Sequence, residues 1–143
     1  MGELPAQRPS DVTILDMEAS IEHLTRGTVR NVGVLLVVTE PYYRSLETAG
    51  RMVPLAQELG LERVWVVANK VRDGRDEAAL REYCARRGFD IVGQVPFDER
   101  VTEADHLGRA IIDHDANAPA VAAVQDLADQ LVERLGLPIP AGV

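Results

Sequence analysis

Cysteine is nearly absent from this sequence. Cys84 stands alone, so neither an internal disulfide nor a cysteine pair for a metal is available. Positive charge is also short. A formal net charge of −8 excludes the broad basic footprint that nucleic acid requires. No apolar run approaches the roughly 20 residues needed to cross a bilayer. The first ten residues, with Pro5 and Pro9, lack the apolar centre of a signal peptide and read as a flexible lead-in. A cytoplasmic protein without a membrane or nucleic-acid partner is therefore expected. The three histidines have no metal-ligand spacing. His106 and His114 lie near Asp105, Asp113 and Asp115, a grouping better read as a solvated acidic loop than as a metal site.

What remains is an ordinary globular composition: 46% hydrophobic and 27% charged residues over 143 positions, enough for one domain with a single core. Short aliphatic runs alternate with helical patterns. Val12–Asp16, Val32–Val38, Arg63–Asn69 and Ile91–Val95 read as four strands, and their continuous apolar character suits a sheet covered on both faces. Between Ser45 and Leu59, apolar residues Leu46, Ala49, Met52, Val53, Ala56 and Leu59 recur at helical spacing. Pro54 should kink that helix, with Gly50 easing the bend, and Gly60 should stop it. Further helices are expected over Glu77–Arg87, over Val101–Ala110 and over Pro119–Leu135. The last carries a stripe of Val121, Val124, Leu127, Ala128, Leu131 and Leu135. This alternation predicts an α/β fold, a mostly parallel sheet with helices on both faces. The pattern alone would also fit a receiver-like or flavodoxin-like module.

The stretch from Asp11 to His23 is the one around which the chain is expected to be organised. Its apolar run ends in Asp16, and carboxylates at the C-terminal edge of parallel sheets are where ligands are met. Such an Asp can hold Mg²⁺ through water. A solvated residue ending a strand is the simpler reading of the local pattern.

Four segments, in order, resemble one family. Asp16-Met-Glu-Ala-Ser-Ile-Glu-His-Leu-Thr-Arg-Gly-Thr28 is similar to the acidic motif of the MinD/ParA-type P-loop ATPases, most closely the CooC-like accessory ATPases of carbon monoxide dehydrogenase maturation. Val37-Val-Thr-Glu-Pro41 with Arg44-Ser45-Leu-Glu-Thr48 resembles the next strand-to-helix turn. Ala68-Asn69-Lys70-Val71 resembles the base-recognition motif, and Val95-Pro96-Phe97-Asp98 with Val101 the loop bordering the adenine. The resemblance implies a P-loop NTPase-like three-layer fold over residues 11–136, followed by a short tail over 137–143. It implies ATP or ADP with Mg²⁺ as cofactors. Asp16 would orient the Mg²⁺ through water. Asn69 would present donor and acceptor to the adenine edge, and Pro96, Phe97 and Asp98 would wall the base. A homo-oligomer and a metalloenzyme client such as carbon monoxide dehydrogenase are the implied partners.

Against that family, the phosphate-binding loop is missing. No Gly-x-x-x-x-Gly-Lys-[Ser/Thr] occurs, and none of the eleven glycines stands in a comparable loop. The sequence therefore resembles the C-terminal part of such an ATPase, and little or no hydrolysis and little nucleotide affinity are expected of it alone. The family branch's upstream Cys-x-Cys pair is also absent. Ser20 stands where glycine is usual beside the γ-phosphate, and Gly33 where an Asp is common. In the resembled fold the phosphate-loop strand lies between the first two strands recognised here. Without it, those strands are expected to pair directly, or two chains to complete each other's sheet. Two functions compete on this reading: part of a CooC-like ATPase serving nickel insertion, or a non-catalytic module acting through self-association or partner binding.

Overall fold

The computed structural model describes residues 11–17 and 21–138. The lead-in over residues 1–10, Ser20 and the end of the tail lie outside the described residues. A short 3₁₀ turn, Ile21–His23, and helix α1, Arg26–Arg30, come first. They precede β1 (Leu35–Thr39), α2 (Tyr43–Glu58), β2 (Val64–Val71), α3 (Gly74–Arg87) and β3 (Ile91–Pro96). Helices α4 (Glu99–His106), α5 (Ile111–His114) and α6 (Pro119–Leu135) complete the chain.

The three strands form a parallel sheet in the order β1-β2-β3. Central β2 explains its own position. Val64, Val66, Val67 and Ala68 are all buried, so both of its faces are covered, as in strands inside α/β sheets. On one face Val37, Val64 and Val66 meet Ala49, Val53 and Ala56 of α2 and Cys84 of α3, while Ala68 and Val71 cluster with Leu46 and Leu80. Burial pushes the Cys84 thiol above its ordinary range, with Arg87 partly opposing, which suits a small core residue. On the other face α6 leans on β3. A Cβ at Gly93 would come within 2.8 Å of Leu127 Cδ1, so glycine lets that helix approach the strand.

Most expected elements form, with shifted ends. The exception is the first strand. Residues 11–17 adopt no regular structure, and Val12 and Ile14 are 63% and 89% exposed. A strand needs a neighbour to satisfy its backbone, and none of the three strands of the sheet pairs with this segment. Direct pairing of the first two expected strands therefore does not occur. The expected stripe of α6 is also only partly used. Val121 is buried, but Val124 is 51% exposed and Ala128 is exposed, because the helix has only the β3 side of the sheet to lie on among the described residues. The helix expected over Val101–Ala110 forms as α4 and stops early, at His106, and a further short helix, α5, which was not expected, lies beyond those bounds. Gly108, with a φ of 65°, ends α4 by letting the chain turn, and α5 follows separately.

Capping accounts for several boundaries. Asp73 accepts from the N–H groups of Arg75 and Asp76, starting α3 earlier than its apolar pattern indicates, and Gly88 at a φ of 70° ends it. Helix α2 continues through Pro54. Gly50 has a separate role from easing a bend: a Cβ there would lie 2.2 Å from Tyr83 Oη, so its hydrogen makes room for the α3 ring. That hydroxyl is buried without a hydrogen-bond partner among the described residues.

These contacts make a coupled prediction. Gly50→Ala should lower stability by roughly 1–3 kcal/mol through overpacking, despite alanine's better helix propensity. Tyr83→Phe removes the clashing, unpaired hydroxyl, so the double variant should regain most of the loss in urea unfolding.

Candidate functional site

The three strands end on one side of the sheet, and their last residues carry the polar groups. Thr39 closes β1 with its hydroxyl buried, 3.0 Å from Ser45 Oγ. Ser45 Oγ also accepts from the Glu40 N–H at 2.9 Å. This fixes the turn from β1 into α2 where the helix has no side-chain cap of its own.

At the end of β2 the ladder to β3 is irregular. Ala68 pairs with Gln94 and Val71 with Pro96, so Asn69 and Lys70 together oppose the single residue Val95. This extra residue is a bulge, a device that re-aims side chains at sheet edges. Lys70 has a φ of 55°, the only non-glycine residue with positive φ among the described residues. Its backbone N–H donates to Asn69 Oδ1 at 2.9 Å. Its ammonium lies 2.7 Å from Glu40 Oε1, tying the end of β2 to the turn after β1. The hydrogen bond to Glu40, then its charge, holds the Lys70 ammonium above its ordinary pKa. The lysine's charge is therefore kept throughout neutral pH, and its contribution to the pair is lost as pH rises through that raised value.

Beside this bulge, β3 runs into Pro96-Phe97-Asp98. Phe97 N–H donates to Val71 O at 2.9 Å, and the Arg72 guanidinium stacks 4.3 Å from the centre of the Phe97 ring. Phe97 borders an open cleft of about 440 Å³, together with Asp98, Glu99, Arg100, Glu103 and Pro119. Asp98 is committed to its neighbours. Oδ1 accepts from Arg100 N–H at 3.0 Å, and Oδ2 from Ala120 N–H at 3.1 Å, so one carboxylate closes the first turns of both α4 and α6. Arg100 is paired with Asp115 at 2.9 Å and His114 with Glu103 at 3.3 Å; the acidic loop around them holds no cluster of metal-ligating side chains among the described residues.

Asn69, Pro96, Phe97 and Asp98 thus come from adjacent strand ends on one side of the sheet. Asp16 does not join them. It is exposed in the irregular segment 11–17, and none of the hydrogen bonds or ion pairs among the described residues links it to that group. The bulge, the Glu40–Lys70 pair and the Arg72 stack were not foreseen from sequence. They depend on the register between strands, which pairs Thr39 with Ala68 and so sets Glu40 beside Asn69-Lys70.

Because Asp98 closes two helices, Asp98→Ala should cost about 1–3 kcal/mol, more than a single lost cap, and Asp98→Asn a fraction of that, by chemical denaturation.

No protein-family model matches the chain. Curated relatives do. It is 34% identical over 126 residues to the carbon monoxide dehydrogenase accessory protein CooC of Rhodospirillum rubrum, covering 88% of this chain and 46% of that protein. It is 43% identical over 102 residues to an ATP-binding protein of Methanocaldococcus jannaschii, covering 71% of this chain and 39% of that one. The chain therefore spans less than half the length of these two relatives. Among solved structures, the MinC:MinD cell division protein complex of Aquifex aeolicus superposes with a TM-score of 0.66 at 22% identity, over 86% of this chain and 51% of that one. The sheet order and the helices on its two faces agree with the MinD fold, and by sequence the chain is homologous to part of the MinD/ParA-type P-loop ATPases, with a CooC protein among its relatives.

Proposed function

We propose that this chain carries the adenine-recognising side of a CooC-like ATPase site. The observation that carries the reading is the juxtaposition of Asn69, on its bulge, with the Phe97 loop across the Val71–Pro96 pairing. A carboxamide offers both a donor and an acceptor, which matches the mixed edge of adenine. The exposed side of Phe97 and the cleft next to it offer a wall for a flat base, contributed by Pro96, Phe97 and the backbone of Asp98. The ligand class is ATP or ADP. Mg²⁺ belongs with the phosphates, and Asp16 would orient it through water once phosphate-binding elements stand beside it. The sequence contains no phosphate-loop motif, so this chain by itself binds nucleotide weakly and turns over little or no ATP. By its relation to CooC, the biological role is a cytoplasmic one in metallocentre assembly, nickel insertion into carbon monoxide dehydrogenase being the specific form.

A second reading rests on the sheet edge. Leu35 N–H donates to Arg63 O, so by strand alternation the backbone groups of Leu36 and Val38 face away from β2. No described strand meets them, and the Val38 side chain is 60% exposed. The run Leu35-Leu-Val-Val contains no charge or proline of the sort that protects natural edges. Such an edge favours self-association or the capture of another strand, and the chain would then act as an interaction module.

Calorimetric titration with Mg²⁺-ATP tests the first reading. Binding in the range of about 0.1–10 mM is expected, weakened at least fivefold by Asn69→Ala, which removes a hydrogen-bonding pair to the base. A well-folded chain that binds no nucleotide overturns it. Mg²⁺-dependent turnover that is abolished by Asp16→Ala would instead overturn the expectation of inactivity. For the second reading, light scattering after gel filtration should give a species larger than 15.7 kDa that Val38→Lys returns to monomer. A monomer at every concentration excludes it.

A further inference from the structure

Resting on the sheet-edge reading rather than on the nucleotide one, we propose that two copies of this chain join as antiparallel β1 neighbours across a two-fold axis, with Leu36 opposite the partner's Val38. Within β1, Leu35, Val37 and Thr39 spend their backbone groups on β2, while Leu36 and Val38 direct theirs outward. Symmetry selects the direction of pairing. In a parallel ladder a residue that bonds faces one that does not, so two identical edges cannot meet in register about a two-fold axis. In an antiparallel ladder opposed residues exchange both N–H and C=O, and identical edges satisfy each other. The register follows from the extent of the strand. Centring Leu35–Thr39 on Val37 sets Leu36 against the partner's Val38, and Leu35 against the partner's Thr39. A shift either way puts an outward residue against one outside the strand. Charge agrees with the centred register. Glu40 falls opposite the partner's Val34 and is already held 2.7 Å from Lys70, so no like charges are apposed.

The side chains favour a second copy as the occupant. The chain's own apolar run does not take the place: no described strand includes Val12–Leu15, and Val12 and Ile14 stay exposed. The register with β2 sets Leu36 beside Trp65 and Val38 beside Val67, on the face turned away from α2. Helix α6 covers that face at β3, and its Arg134 lies 5.2 Å from the centre of the Trp65 ring. Val38, one strand further out, is left 60% exposed. The two-fold axis gathers Leu36 and Val38 of both copies into one apolar strip running from Trp65 to the partner's Trp65. A copy returns the same aliphatic, uncharged pattern, which an arbitrary strand does not. The far edge of the sheet resists such pairing, because β3 contains Gly93 and ends in Pro96. Each copy thus offers one open edge, and assembly closes at the dimer. A seam of five residues is small beside stable interfaces, which bury roughly 1,200–2,000 Å², and each copy carries a charge of −8. The dimer is therefore weak, and salt strengthens it.

Sedimentation equilibrium of the full chain from about 10 μM to about 1 mM should show monomer and dimer alone, with a dissociation constant of about 0.1–1 mM. That constant should fall at least about threefold between roughly 0.05 and 0.5 M sodium chloride. Leu36→Pro removes an N–H that β2 does not use, so it should leave a folded monomer by circular dichroism and weaken association at least about tenfold. Val38→Lys keeps every backbone group and should weaken it as much through the apolar strip. In a mixture of labelled and unlabelled chains, intermolecular nuclear Overhauser effects should link Leu36 to the partner's Val38. A monomer up to about 1 mM overturns this proposal and the sheet-edge reading together, and leaves the adenine-site reading untouched. A dimer unaffected by Val38→Lys or by folded Leu36→Pro, or one whose Leu36 contacts lie elsewhere, overturns the β1 pairing while self-association stands. Species larger than a dimer overturn the two-fold closure.

Discussion

Parallel pairing on both edges of β2 is the constraint from which the rest follows. Its eight residues, Val64 to Val71, are flanked by β1 and β3 and covered by α2 and α3 on one face. Burying Val66, Val67 and Ala68 almost completely contributes hydrophobic stabilisation, and also forces their backbone groups to be paired within the sheet. Once β2 is fixed, Asn69 and Lys70 emerge at its end in a place the chain cannot choose freely. The strand ends on either side are likewise fixed by register, bringing Glu40 from one neighbour and Phe97 from the other. Polar groups collect where the apolar ladder stops.

The elements legible in the sequence are those whose signal is local. Aliphatic runs at 64–68 and 91–95, the helical spacing of Leu46 to Leu59, and Gly88 and Gly136 in left-handed conformations all follow from neighbours a few residues apart. The run Val12–Leu15 has the same local signal and yet forms no strand, because its partner is not local. Strand formation is a property of pairs, and an apolar run that none of the described strands pairs with stays irregular. Val124 is a similar case: its spacing marks it for burial, but α6 covers too little of the sheet to use it.

The site shows the same division. Asn69, Pro96, Phe97 and Asp98 stood out as motif residues, and the structure places them on adjoining strand ends. The motif did not reveal how they are held. The bulge depends on a two-against-one register between β2 and β3, which no single segment encodes. The double cap by Asp98 depends on Ala120, twenty-two positions later, arriving at the same carboxylate. Arg72 over Phe97 likewise needs two strands side by side. Residue identity was visible; the contacts that orient those residues belong to tertiary packing.

The shared carboxylate of Asp98 also bears on how a charged ligand meets this surface. A molecule of net charge −8 repels anions at a distance, though at physiological salt that field decays over about 8 Å. At the cleft itself, the negative charge of Asp98 is met by the positive ends of two helices, α4 and α6. Its own charge is thus partly offset there. The approach of a polyanion is accordingly opposed both by the whole molecule's charge and by Glu99 and Glu103 at the cleft, an opposition that salt relieves.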